Sequence, residues 1–411
     1  MRYNFLKPLS LAVLAALPIS TLAGGLWINE QGSPVMGRAG AGAEAGTDNA
    51  SAAFHNPASM SRIDQSQVMV SGGFIHAETA FNLESSGVIN GTDDGGDAGG
   101  TTIVGSAFYV RPLNDKWRAG ISVAPLTGAE LDYNSGWAGR FHSQSVEIMG
   151  VSVMPSASYQ VNDQLSVGLG LPIMYSTLDM EIGGVTGGKA EIDGDDTQVG
   201  IHLSTYYQVN DTTRFGVYYQ SEFDMDYSGK GKVSDDFDPL PGRTASSNTE
   251  LTFAAKLYAG LTHEFNDKLS GHLTLGWEDW SSMDEVNLSV AGGADLNRNW
   301  RDTYHYAAGI SYSVTDTWLL NTGLAYDTNP IDSIDRTADM PIDRQVRYAF
   351  GVELDLPAGP TIGAQLVYAD YGSAKINTGS PNNPPLTGYA GDYSDNDLIF
   401  FSISANWELG E

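Results

Sequence analysis

In the stretch QLSVGLGLPIMYST every second residue is apolar: Leu165, Val167, Leu169, Leu171, Ile173 and Tyr175, set against Ser166, Gly168, Gly170, Pro172, Met174 and Ser176. A strand turns successive side chains to opposite faces, so this period builds one greasy face and does not suit a helix. The pattern returns at Leu269, Leu273, Leu275 and Trp277, at Trp318, Leu320, Leu324 and Tyr326, and at Val346, Tyr348, Phe350, Val352 and Leu354. The opposite faces of those segments carry His272, Glu278, Asn321, Arg347, Glu353 and Asp355. Beyond residue 23 no apolar run approaches the roughly 18 residues that a spanning helix needs. Within a bilayer every backbone polar group must be paired inside the protein, which leaves a closed sheet as the way across. An apolar exterior around a polar interior is the pattern of a transmembrane β-barrel.

Residues 1–23 combine Arg2 and Lys7, the apolar run LSLAVLAALPI and a small-residue site TLA before Gly24, which predicts a cleaved secretory signal. The chain has no cysteine, so neither a disulfide framework nor a thiolate metal site is available. With 50 acidic against 21 basic residues the formal net charge is -29, a sign that excludes nucleic acid as a partner. Short turns occur near Asn114, Asn162, Asn210, Asn266, Thr315 and Ala358, and longer Gly- and Asp-rich connections centre near residues 91, 137, 188, 238, 292, 335 and 386. Those turns and loops predict an all-β, 14-stranded antiparallel barrel over residues 67–411, with both termini on the periplasmic side.

A barrel of about 14 strands is too wide for its own side chains to fill. Residues 24–66 precede the first strand, are rich in Gly, Ala, Ser and Asn, and lack strand alternation. They predict a small N-terminal hatch plugging the barrel from the periplasm; a disordered tail is the alternative that composition leaves open.

The segment GLWINEQGSPVMGRAGAGAEAGTDNASAAFHNPASM, with Asn56, Pro57 and Ala58 forming its Asn-Pro-Ala turn, resembles the hatch of FadL/TodX-type outer-membrane transporters. GWAGRFHSQSVEIMGVSVMPSASYQVND, GWEDWSSMDEV and AYDTNPIDSIDRTADMPIDRQVRYAFG extend the resemblance along the chain. The resemblance implies passive uptake of long-chain fatty acids, or of aromatic hydrocarbons or alkanes. Capture would be at the extracellular loops, release would follow movement of the hatch, and exit would be sideways at a kink in the third strand.

That strand reads WRAGISVAPLTGAELDY, and Pro125 with Gly128 marks either this opening or a plain register-adjusting bulge. Met154, Met174, Leu178, Met180, Tyr218, Leu319 and Phe400 fall on inward positions, where they suit either a greasy ligand path or packing against the hatch. A carboxylate head calls for a cation. Arg301 is the candidate partner, with Arg214 and Arg347 inward by parity, while the fifth strand offers no basic residue where fatty-acid members of the family tend to have one. The acidic clusters Asp93, Asp94, Asp97 and Asp193, Asp195, Asp196 are placed in external loops, as solvated loops or as calcium ligands.

No catalytic motif, metal-spaced histidine pair or cofactor motif is present, so no enzyme activity, metal or cofactor is expected. The expected partners are a hydrophobic small molecule and outer-membrane lipid with lipopolysaccharide, and the barrel is expected to work as a monomer. A surface receptor or adhesin is the reading from a different class, and it predicts no uptake.

Overall fold

The periplasmic hairpins follow from asparagine side chains that stand in for backbone at the turn. Asn114 Oδ1 accepts from the amides of Lys116 and Trp117, both at 3.0 Å. Asn162 does the same for Gln164 and Leu165 at 2.9 Å, and Asn266 for Lys268 and Leu269. The computed structural model describes residues 26–29, 31–184, 187–234, 244–283, 285–286, 296–357, 359–378 and 387–410. The signal segment 1–23 lies outside them.

Fourteen antiparallel strands close into one barrel. They are β1 (Ser66–Ser86), β2 (Thr101–Pro112), β3 (Trp117–Asp132), β4 (Ser145–Gln160), β5 (Leu165–Gly170 continued by Ile173–Gly183), β6 (Lys189–Val199 continued by His202–Asn210) and β7 (Thr213–Gln220 continued by Phe223–Val233). There follow β8 (Thr244–Phe253 continued by Lys256–Asn266), β9 (Leu269–Glu278), β10 (Thr303–Ser313), β11 (Trp318–Asp327), β12 (Gln345–Asp355), β13 (Thr361–Asp370) and β14 (Tyr389–Leu409). Each strand pairs with its neighbour in the chain, and β1 closes on β14 from Ser66↔Leu409 to Ser86↔Tyr389.

Leu169, Leu203, Leu273, Leu275, Ile310, Phe350 and Ile403 stand exposed on the outer face, as lipid contact requires. Trp117, Trp318 and Trp407 ring the periplasmic end of that belt, and Tyr304, Tyr326, Tyr348 and Tyr368 ring the other.

Strands β5 to β8 are interrupted at one level, at 171–172, 200–201, 221–222 and 254–255. In β7 the extra residue at Ser221–Glu222 switches the inward set from Gln220 to Phe223, and in β8 Ala254–Ala255 does the same from Phe253 to Lys256. These bulges break the two-residue period, so an aromatic ring and a polar side chain from one strand both face the lumen, one above the other.

The N-terminal segment lies inside the barrel. It contains two short 3-10 turns, Pro34–Arg38 and Pro57–Arg62, and one helical turn, Ala52–His55. Asn56 is fully buried and holds three places at once: its Nδ2 donates to Glu44 O at 2.5 Å and Thr205 O at 2.9 Å, and its Oδ1 accepts from Ala58 N at 3.0 Å. Ala58 N also donates to Ser204 Oγ at 3.0 Å, so the Asn-Pro-Ala turn fastens the segment to β6.

Wall glycines make room for it. A Cβ on Gly216 of β7 would lie 1.8 Å from Glu44 O, and one on Gly323 of β11 2.2 Å from Arg38 O. Gly120, Gly168, Gly260, Gly309 and Gly351 meet the same segment on other strands. The wall is therefore bare where the plug's backbone touches it.

The loops at the extracellular end pack over the barrel. Tyr133 stacks on Trp137 at 4.1 Å, Phe81 and Tyr389 press edge-on against Trp137, and the buried pair Arg298–Asp339 closes at 2.5 Å. The first acidic cluster caps turns of this cover: Asp93 Oδ1 accepts from Gly95 N, and Asp97 Oδ1 from Thr79 N and Gly99 N. The second cluster departs from expectation. Asp193, Asp195 and Asp196 belong to strand β6 rather than to a loop, because β5 and β6 continue well above the lipid belt as a tall hairpin.

Candidate ligand pocket and wall gap

Strand β3 pairs with β2 only from Pro112↔Arg118 to Ala107↔Val123. Above that level the β2 edge of β3 is met by the N-terminal segment instead. Ile28 N donates to Leu126 O at 2.8 Å, Thr127 Oγ1 donates to Leu26 O at 2.5 Å, and Trp27 bridges Thr127. Lower down, Ser71 Oγ and Ser106 Oγ both donate to Gln31 O. The seal on this wall gap is thus made by Leu26, Trp27, Ile28 and Gln31.

The register of β3 against β4 slips between Pro125↔Val151 and Thr127↔Gly150, so the extra residue is Leu126, while Gly128 pairs regularly with Met149. Pro125 has no N–H to give to the ladder at the slip, and the bulge sits one residue beyond it.

The side chain on that seal reaches the middle of the barrel. The Trp27 ring is fully buried among Phe253 at 5.6 Å, Phe223 at 6.1 Å and Trp280 at 6.1 Å. The Lys256 ammonium lies 4.4 Å from its centroid, a cation–π contact. Among the described residues no carboxylate comes within ion-pair distance of Lys256. Its register neighbour Glu278 is occupied by three neutral donors: Trp280 Nε1 at 2.6 Å, Tyr258 OH at 2.7 Å and Thr303 Oγ1 at 3.1 Å.

Lys256 belongs to a single register row: His202↔Gln220, Gln220↔Lys256, Lys256↔Glu278 and Glu278↔Thr303. Just below it Tyr218 and Tyr258 stack at 5.4 Å, and His202 stacks on Tyr218 at 4.8 Å. The bulges of β7 and β8 set Phe223 and Phe253 directly above this row, so the pocket has a polar floor and an aromatic roof.

Of the residues singled out from sequence, Met154, Met174, Leu178, Met180 and Phe400 are buried and face the lumen, and Tyr218 belongs to the tyrosine stack. Leu319 faces inward too, but it lines a separate cavity of about 560 Å³ at the periplasmic mouth, with Arg38, Asp48, Arg214 and Glu353. Arg301 is placed elsewhere. It is exposed, pairs with Asp332 at 2.9 Å and donates to Asn329 O, so it holds a loop base and does not face the pocket. Arg347 is buried against Asp327 and Gln345, and Arg214 pairs with Glu264 at 2.7 Å.

Sequence reading passed over Trp27, His202, Gln220, Phe223, Phe253, Lys256 and Trp280. One signal was available for Lys256: it is a lone basic residue in an alternating strand, directly after a broken period at Ala254–Ala255.

Beneath the pocket His55 meets Ser33 Oγ at 2.8 Å. Burial, aided by the cations Arg38 and Lys256, pushes its imidazole down to about 3. A base with a depressed folded pKa gives its full stability above the ordinary value near 6.5 and loses it as pH falls below. The seating of the helical turn Ala52–His55 is therefore expected to weaken by about tenfold per pH unit below roughly 6.5. Amide exchange at Ala53 to Asn56, compared at neutral and mildly acidic pH, measures it; equal protection at both would refute the assignment.

A closed barrel of this width, with a lipid-facing apolar belt and an inner segment that fills both the lumen and a gap in the wall, defines an outer-membrane transport protein of Gram-negative type. The family described as outer membrane protein transport protein (OMPP1/FadL/TodX) matches residues 14–408, and the chain belongs to it. This is a family of transport proteins, and the chain is not an enzyme.

A long-chain fatty acid transport protein of Salmonella typhi is 24% identical over 409 residues, covering 90% of this chain and 93% of the relative. Two crystal structures share the fold. A Pseudomonas aeruginosa FadL homologue gives a TM-score of 0.84 at 22% identity, covering 94% of this chain and 100% of its own. The P. putida toluene transporter TodX gives 0.69 at 18%, covering 93% and 99%.

Proposed function

We propose that this protein carries hydrophobic compounds into the outer membrane by passive diffusion, that long-chain fatty acids are its preferred cargo, and that Trp27 is the part a ligand must move. One observation carries the reading. The side chain that fills the pocket and covers the Lys256 ammonium belongs to the same three residues whose backbone seals the gap beside β3. A ligand entering from the loops displaces the indole, and displacing it unseals the wall. Exit between β2 and β3 then delivers an apolar tail directly to lipid, without a return to water.

Lys256, rather than Arg301, takes the carboxylate. The tail still sets most of the affinity, because each buried methylene contributes about 0.8 kcal/mol and a hydrogen bond to a charge roughly 1.5–3. The fatty acid transport protein among the relatives supports this choice of cargo. A second reading, uptake of aromatic hydrocarbons or alkanes, is favoured by the ring of Phe223, Phe253 and Trp280 and by the likeness to a toluene transporter.

Uptake of labelled oleate and labelled toluene by cells lacking their own transporter separates the two. Lys256→Met is expected to weaken oleate uptake about tenfold, the worth of one charge-assisted hydrogen bond, and to leave toluene alone. Pro125→Val with Gly128→Val, at normal surface expression, is expected to abolish both. Uptake of toluene but not oleate moves the assignment to hydrocarbons. Uptake of neither leaves the surface-receptor reading in front.

A further inference from the structure

We infer that the pocket floor is built for an acid bearing a second oxygen near its head, a hydroxy acid with an apolar tail, and that His202 and Gln220 select it. The inference rests on Lys256 as the carboxylate site. It adds to that site the two polar neighbours that a plain acid leaves unmet.

His202 is 2% exposed and Gln220 4%; the two side chains interact with each other, and beyond that contact the ring nitrogens of His202 and the Nε2 of Gln220 meet no hydrogen-bond partner. Buried polar side chains are paired in the great majority of cases, and an unmet donor gives up its hydration for nothing. Two such groups lie side by side, in register, beside a buried ammonium that also lacks an ion-pair partner. The surroundings do not supply what is missing. Glu278 is committed to Tyr258, Trp280 and Thr303, and the groups next to His202 are the ring of Tyr218 and the side chain of Met154.

The spacing reads out the ligand. Neighbouring strands are about 4.8 Å apart, so Gln220 is one step from Lys256 and His202 two. A carboxylate on Lys256 reaches Gln220 with its second oxygen but falls short of His202. An oxygen two to four bonds further along the ligand closes that distance, as a 3-hydroxy group does. The hydroxyl then donates to one ring nitrogen or accepts from the other, and Gln220 Nε2 donates to the carboxylate. Phe223, Phe253 and Met154 receive the tail. An arene offers a face to the Lys256 ammonium but no hydrogen bond to any of the three.

The test uses the full chain in detergent micelles, with decanoate, 3-hydroxydecanoate and toluene as probes and calorimetry as the readout. One hydrogen bond gained predicts that 3-hydroxydecanoate binds about fivefold to tenfold tighter than decanoate. His202→Phe keeps the stack on Tyr218 and Gln220→Met keeps the volume, and each is expected to bring that ratio close to one. The unaltered protein decides the matter even if a variant misfolds: equal affinity for the two acids overturns the inference, as does a preference that survives in both variants. If decanoate binds through Lys256 without any preference, the hydroxy-acid inference fails and the fatty-acid reading stands. If toluene alone binds, both fail.

Discussion

A disulfide between positions 28 and 126 is expected to stop transport almost completely while leaving the barrel folded. Ile28 N already donates to Leu126 O at 2.8 Å, and both side chains are buried at the seal. The chain contains no cysteine, so Ile28→Cys with Leu126→Cys introduces a single possible bond. Oxidised, it ties the N-terminal segment to β3 and prevents residues 26–28 from leaving the gap. Oleate uptake falls to background and returns on reduction. Uptake that continues at the normal rate in the oxidised form, with the cross-link verified by mass spectrometry, would mean that the ligand leaves by another route.

The second large effect concerns the plug's seat. Gly216→Val puts a branched side chain where Glu44 O already lies 1.8 Å from an imagined Cβ, and Gly323→Val does so against Arg38 O. Ordinary overpacking of a core costs about 1–3 kcal/mol because side chains yield. Here the obstacle is backbone on both sides, which cannot turn away. The expected result is a barrel that still assembles, since its ladder is untouched, but whose plug is unseated. Conductance in planar bilayers is expected to rise from near zero to that of an open pore. Gly72→Ala is the control, because a Cβ there meets nothing nearer than Val104 O at 4.0 Å. An unchanged, closed barrel with Gly216→Val would show that the segment does not seal the lumen.

The barrel was legible because its signal is periodic. Alternation at Leu165 to Tyr175, repeated along the chain, fixes faces, and the Asn turns fix the number of hairpins. The pocket was hidden for the same reason. It is made where the period breaks, at Ser221–Glu222 and Ala254–Ala255, and a bulge shows itself only when the partner strand's register is known. Parity placed Met154 and Phe400 correctly inward but could not pair Gln220 with Lys256 across two strands. Pro125 pointed to the β3 slip within one residue, because proline removes a donor wherever it sits. For Arg301 the sequence left a ligand role and a loop-base salt bridge both open, because position along a strand says little about a loop base; the structure pairs it with Asp332. Trp27 lay in a segment with no period at all, so its destination depended on the tertiary fold.

The double duty of Trp27 has a thermodynamic consequence. If the indole and the ligand compete for one pocket, the protein binds only in the fraction of time that the indole is out. Apparent affinity is then the intrinsic affinity scaled by that fraction. Every tenfold gain in how tightly the wall is sealed weakens capture tenfold, about 1.4 kcal/mol either way. A member of this family that guards its gap well must therefore be a poor scavenger at low ligand concentration, unless the cargo's own tail is long enough to make up the difference.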